Sequence, residues 1–176
     1  MNIRFVDILE VDHDLIEQVR LWRNNENVSK FMFTNHKISE EEHNRWIKNL
    51  RVKNDSKAWI IFIDEKPIGL VSLSDIDYER KETEWGFYIA DEDFRGKGLG
   101  KTVLKKLMKM VFDDMGFEKM NTMVLDNNPV ALHLYKKLGF RVLGNHNEKN
   151  VRDGEEVEIK IMSISKTTWV NMNQVK

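Results

Sequence analysis

The residues from Thr83 to Thr102 constrain this chain more than any others. TEWGFYIA (83–90) is aromatic, partly alternating, and reads as a strand. FRGKGLGKT (94–102) follows, with three glycines and three basic residues. From there Leu99, Val103, Leu104, Leu107, Met108, Val111 and Phe112 recur at helical spacing, with Lys101, Lys105 and Lys109 on another face. Strand, glycine turn and helix N-terminus together make an anion site. Glycines let the backbone approach a ligand, and the first helical N–H groups have no partner within the helix. Two common phosphate loops are excluded. A Walker loop needs glycine where Arg95 stands, and Gly96, Gly98 and Gly100 give G-x-G-x-G where a dinucleotide fingerprint needs G-x-G-x-x-G. The residues predict a pyrophosphate-like ligand, or else an ordinary turn on a solvated basic surface.

The rest of the chain places this loop in a mixed α/β domain. IRFVDIL (3–9) reads as a strand. Asp12 opens a helix with Leu15, Ile16, Val19 and Trp22 on one face. Ser39 and Glu42 have capping-box spacing before a helix that carries His43, Trp46, Ile47 and Leu50. AWIIFID and PIGLVSLSDI form a hairpin about a turn at Glu65-Lys66. KMNTMVL is a strand. NPVALHLYKKLGF is a short helix with Pro129 in its first turn and Gly139 at its stop. FRVLG and EEVEIKIMSIS close the chain, joined by a segment with a turn at Asp153-Gly154. The order β-α-α-β-β-β-α-β-α-β-β predicts a central mixed sheet with helices packed against it. No linker, repeat or low-complexity tract divides the 176 residues, so they read as one domain, 1–176, with its core at about 3–165 and a tail at 166–176.

Composition excludes several functions. With 28 basic and 29 acidic residues the net charge is -1, which argues against a dominant nucleic-acid surface. The absence of cysteine removes disulfides, thiolate metal sites and a cysteine nucleophile. His36, His133 and His146 have no metal-ligand spacing, so no metal is expected. No apolar run is long enough to span a membrane, and the N-terminus lacks a signal-peptide pattern, which predicts a cytoplasmic protein.

Two segments carry a family resemblance. Arg95-x-x-Gly98-x-Gly100 resembles the acetyl-CoA signature of the Gcn5-related N-acetyltransferases (GNAT). Asn128-x-x-Ala131-x-x-x-Tyr135, ending in Leu138-Gly139-Phe140, resembles that family's second recurrent segment. They stand in the family's order and the resemblance covers about 3–165. It implies the GNAT fold, a mostly antiparallel mixed sheet with helices on both faces and a splayed pair of strands. It also implies acetyl-CoA as cosubstrate. The backbone of Phe87, Tyr88, Ile89 and Ala90 would bind the pantetheine arm. The amides of Arg95, Gly96, Lys97, Gly98, Leu99, Gly100 and Lys101 would cradle the pyrophosphate, and Asn128 and Ala131 belong to the same site. Tyr135 matches the tyrosine near the coenzyme sulfur and is the expected general acid; otherwise it is a packed helix tyrosine. The N–H near Ile89 is the expected oxyanion donor. Glu84, on the strand before the loop, is the expected base, directly or through water; otherwise it is an exposed strand carboxylate.

The N-terminal third decides the acceptor. Its layout, with IGLVSLSDID and EWGFYIA, resembles the branch that acts in pseudaminic acid biosynthesis. That implies transfer to the 4-amino group of a UDP-linked 4-amino-4,6-dideoxy sugar. Arg23 and His43 would meet the diphosphate, with Asn24 beside Arg23, and Met32, Ser74 and Tyr88 would line the nucleotide or sugar pocket. Trp46 reads more simply as core, and Arg23 and His43 also have plain structural readings as a surface ion pair and a packed ring. The rival acceptors are a protein N-terminus, a ribosomal protein or a polyamine, for which Glu40-Glu41-Glu42 supplies carboxylates. A rival of another class is a coenzyme-binding module without catalysis. The edge of the last strand, VEIKIMSIS, is expected to pair between copies in a homodimer.

Overall fold

The computed structural model describes residues 2–34, 36–152 and 155–174; over 146–152 and 155–156 it describes the backbone alone. Seven strands are hydrogen-bonded in the order β1-β2-β3-β4-β5-β7-β6. They are β1 (Ile3–Asp7), β2 (Lys57–Ile63), β3 (Lys66–Asp77), β4 (Glu82–Ile89), β5 (Lys119–Leu125), β6 (Arg141–Arg152) and β7 (Glu155–Ser165). β1–β2, β2–β3, β5–β7 and β6–β7 pair antiparallel, and β4–β5 pairs parallel. The helices are α1 (His13–Asn24), α2 (Glu26–Ser29), α3 (Glu40–Val52), α4 (Leu99–Lys109), α5 (Pro129–Lys137) and α6 (Lys166–Gln174). The chain forms two compact units, Met1–Ser74 with Gly86–Lys97, and Asp75–Trp85 with Gly98–Lys176.

In the first unit α1 and α3 close over β2 and β3. Ile8, Val19, Ile47, Leu50, Ala58, Ile60 and Leu70 form its buried cluster, flanked by Trp22 and Trp46. Each such Leu or Ile stabilises the fold by about 1.5–3 kcal/mol relative to exposure. Both helix starts are capped as the sequence predicts. Asp12 accepts from the N–H of Leu15, and Ser39 and Glu42 make the full reciprocal box. The hairpin turn falls at Asp64-Glu65, one residue before its expected place, because Asp64 adopts the left-handed φ of 52°. Gly69 has a packing reason: a Cβ there would stand 2.1 Å from the Tyr88 carbonyl oxygen.

In the second unit every residue of the stripe Leu99–Phe112 read from the sequence is buried. The helix ends differently from expectation. After Lys109 it widens into a π-turn over Met110–Asp114. α6 occupies 166–174, where only a tail was expected. Trp169 stacks on Phe112 at 6.2 Å between ring centres, and its Nε1 donates to Asp113 at 3.1 Å. The last strand is not an edge: β7 lies between β5 and β6. The free edge that the sequence reading gave to VEIKIMSIS therefore belongs to β6. The Asp153-Gly154 turn lies outside the described residues.

Candidate functional site

In the first unit, side chains of the acceptor segment hold its backbone in place. Asn24, the last residue of α1, makes a two-way bond with Ile38: Nδ2 donates to its carbonyl at 3.0 Å and Oδ1 accepts from its N–H at 2.8 Å. Arg20 donates to the same carbonyl and is ion-paired with Glu17. Arg23 Nη2 donates to the Thr34 carbonyl and hydroxyl at 3.1 and 2.9 Å. The stretch that follows half-buried Met32 is thus tied at Thr34 and at Ile38 to one turn of helix. His43 is buried, its Nε2 is 2.9 Å from the Ile16 carbonyl, and its ring lies 5.5 Å from that of Trp46. Burial lowers its pKa, so it is neutral and Nε2 is the donor. Nδ1 is the nitrogen this leaves for a ligand.

Tyr88 differs from these neighbours. Its hydroxyl oxygen is buried with no hydrogen-bond partner. Burial raises its pKa, opposed by the positive charge of Arg23. The Arg23 charge thus acts on a hydroxyl that can still donate or accept, and both groups can serve an anion. Ser74 is exposed and precedes Asp75, whose left-handed φ of 47° kinks β3.

The end of β4 and the loop after it are held by Arg95. Its Nε donates to the Ile89 carbonyl at 2.8 Å and Nη2 to the Ala90 carbonyl at 3.0 Å. The Ala90 N–H donates in turn to Ile68 at 2.7 Å. The arginine of the signature therefore shapes the strand end through its fork, a task a lysine does not reproduce. Gly96 and Gly98 take left-handed φ values of 72° and 74°. Gly98 caps α4 without a side-chain hydrogen bond, and nothing lies within 4 Å of where a Cβ would stand on either glycine. The first N–H groups of α4 are left without a side-chain cap, which suits a phosphate.

The second unit holds the two candidate proton carriers. Asn128 caps α5, with Oδ1 accepting from the Ala131 N–H at 3.1 Å, so Nδ2 is the group it can offer a coenzyme. Tyr135 is 8% exposed. Its ring meets Trp85 edge-on at 5.0 Å and lies 5.9 Å from Phe140. Burial drives its pKa upward, so it is a neutral phenol at every working pH.

Glu84 stands on the other face of β4, because successive strand residues alternate and Thr83 and Trp85 are the buried ones. Its neighbour on that face, Glu82, is neutralised by Arg80 at 2.8 Å and Lys119 at 3.5 Å. Among the described residues Glu84 has no such cation. Burial first, and then the charge of Asp75, raise its pKa. That raises its basicity toward the range useful for proton abstraction. The parallel register sets Asn121 directly beside it, through the pairs Glu82–Lys119, Thr83–Met120 and Glu84–Asn121, and β4 and β5 run on beyond these to Ile89 and Leu125. Asn121 Oδ1 is buried without a partner. Neither Asn121 nor Asp75 stood out in the sequence. Among the described residues no group of three or more His, Asp or Glu is placed to hold a metal ion, and no helix is long and apolar enough to cross a membrane.

Comparison with known proteins agrees with these features. The chain is 31% identical to acetyltransferase PseH of Campylobacter jejuni over 140 residues, 80% of this chain and 85% of that protein. It is 28% identical to spermidine N(1)-acetyltransferase of Vibrio cholerae over 156 residues, 86% of this chain and 87% of that one. The crystal structure of the Vibrio cholerae spermidine N-acetyltransferase in complex with CoA and spermine superposes with a TM-score of 0.83 at 22% identity, covering 96% of this chain and 97% of that chain, a likeness of fold. Residues 6–141 match the acetyltransferase (GNAT) domain, and with that match the chain belongs to the GNAT family of acetyl-CoA-dependent N-acetyltransferases.

Proposed function

We propose that this N-acetyltransferase transfers acetyl to the 4-amino group of a UDP-linked 4-amino-4,6-dideoxy sugar, as in pseudaminic acid biosynthesis. The observation that carries this reading is the buried Tyr88 hydroxyl without a hydrogen-bond partner, which feels the positive charge of Arg23. A diphosphate can accept from the Tyr88 O–H and is attracted by the Arg23 guanidinium, whereas a polyamine, itself a cation, is repelled by Arg23. The carboxylates a polyamine would need are partly committed. Glu42 accepts from the Ser39 N–H at 3.0 Å and pairs with His36 at 2.8 Å. In this reading Arg23 meets the diphosphate, His43 Nδ1, left as an acceptor, takes a ribose hydroxyl beside it, Asn24 fixes the segment that carries Arg23, and Met32, Ser74 and Tyr88 line the pocket.

For the coenzyme, the amides of Arg95 to Lys101 take the pyrophosphate. The backbone of Phe87 to Ala90, with Asn128 Nδ2, takes the pantetheine arm. Acetyl-CoA supplies the thioester. The Ile89 N–H stabilises the oxyanion and Glu84 takes a proton from the attacking nitrogen. Tyr135 donates to the departing sulfur. Against a thiol of pKa about 8.5, even an unshifted tyrosine near 10 is roughly 1.5 units too weak an acid, about 2 kcal/mol. Tyr135 therefore serves first as a hydrogen-bond donor to the developing thiolate, and the proton follows. An amine with electron-withdrawing oxygens nearby, near pKa 8, is about 2.4 units easier to deprotonate than a lysine-like amine, or roughly 3 kcal/mol. One half-buried carboxylate is base enough for it.

The test is thiol release from acetyl-CoA with the UDP-4-amino sugar, spermidine or an N-terminal peptide. The sugar nucleotide should turn over best. An inert sugar nucleotide beside an active polyamine or peptide overturns the acceptor assignment, and binding without transfer to any amine favours a non-catalytic module.

A further inference from the structure

A polar row crosses the face of the second unit that carries Glu84. Glu84 on β4 pairs with Asn121 on β5, Asn121 with Ser163 on β7, and Ser163 with Arg141 on β6. Directly paired strand residues share a face. The row beside it is electrostatically closed by the Glu82–Lys119 pair. At the Glu84–Asn121 position the carboxylate has no cation among the described residues, and the buried amide oxygen has no donor. A buried polar group left in this way costs stability, and such a cost is commonly retained where function uses the group.

The side chain of Asn121 is half-buried. Turning its amide over exchanges the buried oxygen for nitrogen and breaks no hydrogen bond, since neither amide atom is bonded among the described residues. The oxygen is thus free to face either the interior or the space beside the Glu84 carboxylate.

We propose that Asn121 receives the second N–H of the attacking nitrogen and so selects primary amines. This rests on the reading of Glu84 as the base. When a primary amine adds to the thioester carbonyl, the C–N bond forms and the nitrogen carries two hydrogens and a positive charge. One proton passes to Glu84. The other stays as the N–H of the product amide, and Asn121 Oδ1 accepts its hydrogen bond throughout. The C–S bond breaks as the oxyanion re-forms the carbonyl, and the thiolate takes its proton from Tyr135. Two acceptors side by side on one sheet face match two N–H bonds on one nitrogen. A secondary amine has one N–H in the same intermediate, loses it to Glu84, and leaves Asn121 with nothing to accept.

The experiment compares the UDP-4-amino sugar with its 4-methylamino analogue in wild type, Asn121→Ala and the isosteric Asn121→Asp. The pair is built instead on whichever primary amine of the acceptor panel turns over, so a wrong acceptor assignment leaves the test intact. In Asn121→Ala, kcat for the primary amine should fall about tenfold, as expected for one hydrogen bond. KM for acetyl-CoA should not move, and the preference for primary over methylated amine should shrink at least fivefold. Asn121→Asp keeps an acceptor oxygen and should keep the preference. Asn121→Val should lower kcat in the same way with an unchanged or higher Tm, because the unsatisfied group is gone. Turnover of Asn121→Ala within twofold of wild type overturns the proposal. So does an equal loss on both amines, or a Tm drop of more than about 5 °C in both Ala and Val variants, which marks a structural role. Glu84→Gln separates the two readings: if it is inactive while Asn121→Ala is not, only the Asn121 role falls, and if it is fully active, the base assignment falls.

Discussion

The two units treat their polar side chains in opposite ways. In the first, Arg20, Arg23, Asn24, His43 and Arg95 all bond to backbone carbonyls of their own unit. They set the path of a link and of a strand end, and among the described residues Tyr88 keeps a buried hydroxyl with no hydrogen-bond partner. In the second, the side chains proposed for the chemistry have no ion pair or hydrogen bond among the described residues while their neighbours are paired. Glu84 adjoins the closed Glu82–Lys119 pair, and Asn121 adjoins Thr122, whose hydroxyl donates to the Trp85 carbonyl at 3.0 Å. A pocket wall gains from bonds that fix its shape, whereas a proton carrier gains from having no partner until the substrate arrives. Substitutions in the first unit should therefore move stability and KM, and those in the second should move kcat at little cost in stability.

The largest effect should be Gly69→Ala. The added Cβ would meet the Tyr88 carbonyl, which is backbone and cannot rotate away. We expect a loss of about 3 kcal/mol in denaturant unfolding, and a loss below about 0.5 kcal/mol would show that the two strands separate freely there. Next is Glu84→Gln, with kcat about a hundredfold lower and Tm unchanged or higher, since a desolvated carboxylate repelled by Asp75 becomes neutral. In wild type the folded pKa of Glu84 is raised, so the acid limb of kcat/KM should lie above the ordinary glutamate value of about 4.3. The same shift means that Glu84 favours the fold below its unfolded pKa and loses that contribution as pH rises through the folded one. An acid limb that survives Glu84→Gln unchanged would assign the base elsewhere. Tyr135→Phe should lower kcat about tenfold while its ring contacts with Trp85 and Phe140 preserve Tm, and turnover within twofold of wild type would remove the acid role. The smallest effect should be Asn24→Ala. Losing the two-way bond to Ile38 should cost about 1 kcal/mol of stability and raise KM for the acceptor with kcat little changed; a change in kcat alone would contradict the division between the units.

What the sequence made legible was local. The caps at Asp12 and Ser39, Pro129 in the first turn of α5, the span of β5 and the stripe on α4 depend on residues a few positions apart, and each was readable. Motif and strand position also singled out Glu84, Tyr135 and the loop glycines, and Gly96 and Gly98 take the left-handed backbone that such a turn needs. Asn121 was not legible. A strand asparagine carries no signal until register sets it beside Glu84, and register here joins positions far apart in the chain. The Asn24–Ile38 brace and the approach of Tyr88 to Gly69 were hidden for the same reason. α6 was missed because its apolar face is weak and is fixed by Trp169 meeting Phe112 and Asp113.

Glu84 and the Trp85–Tyr135 contact lie on opposite faces of one strand. On the proposed roles, the proton removed from nitrogen and the proton given to sulfur are therefore different protons, and they never share a carrier. Each turnover leaves the carboxylate charged with hydrogen on one side and the phenol short of it on the other. Only exchange with the surrounding water restores both, so the medium resets the enzyme as a participant in every cycle, and a turnover ends when its two sides are again independently in balance with the solvent.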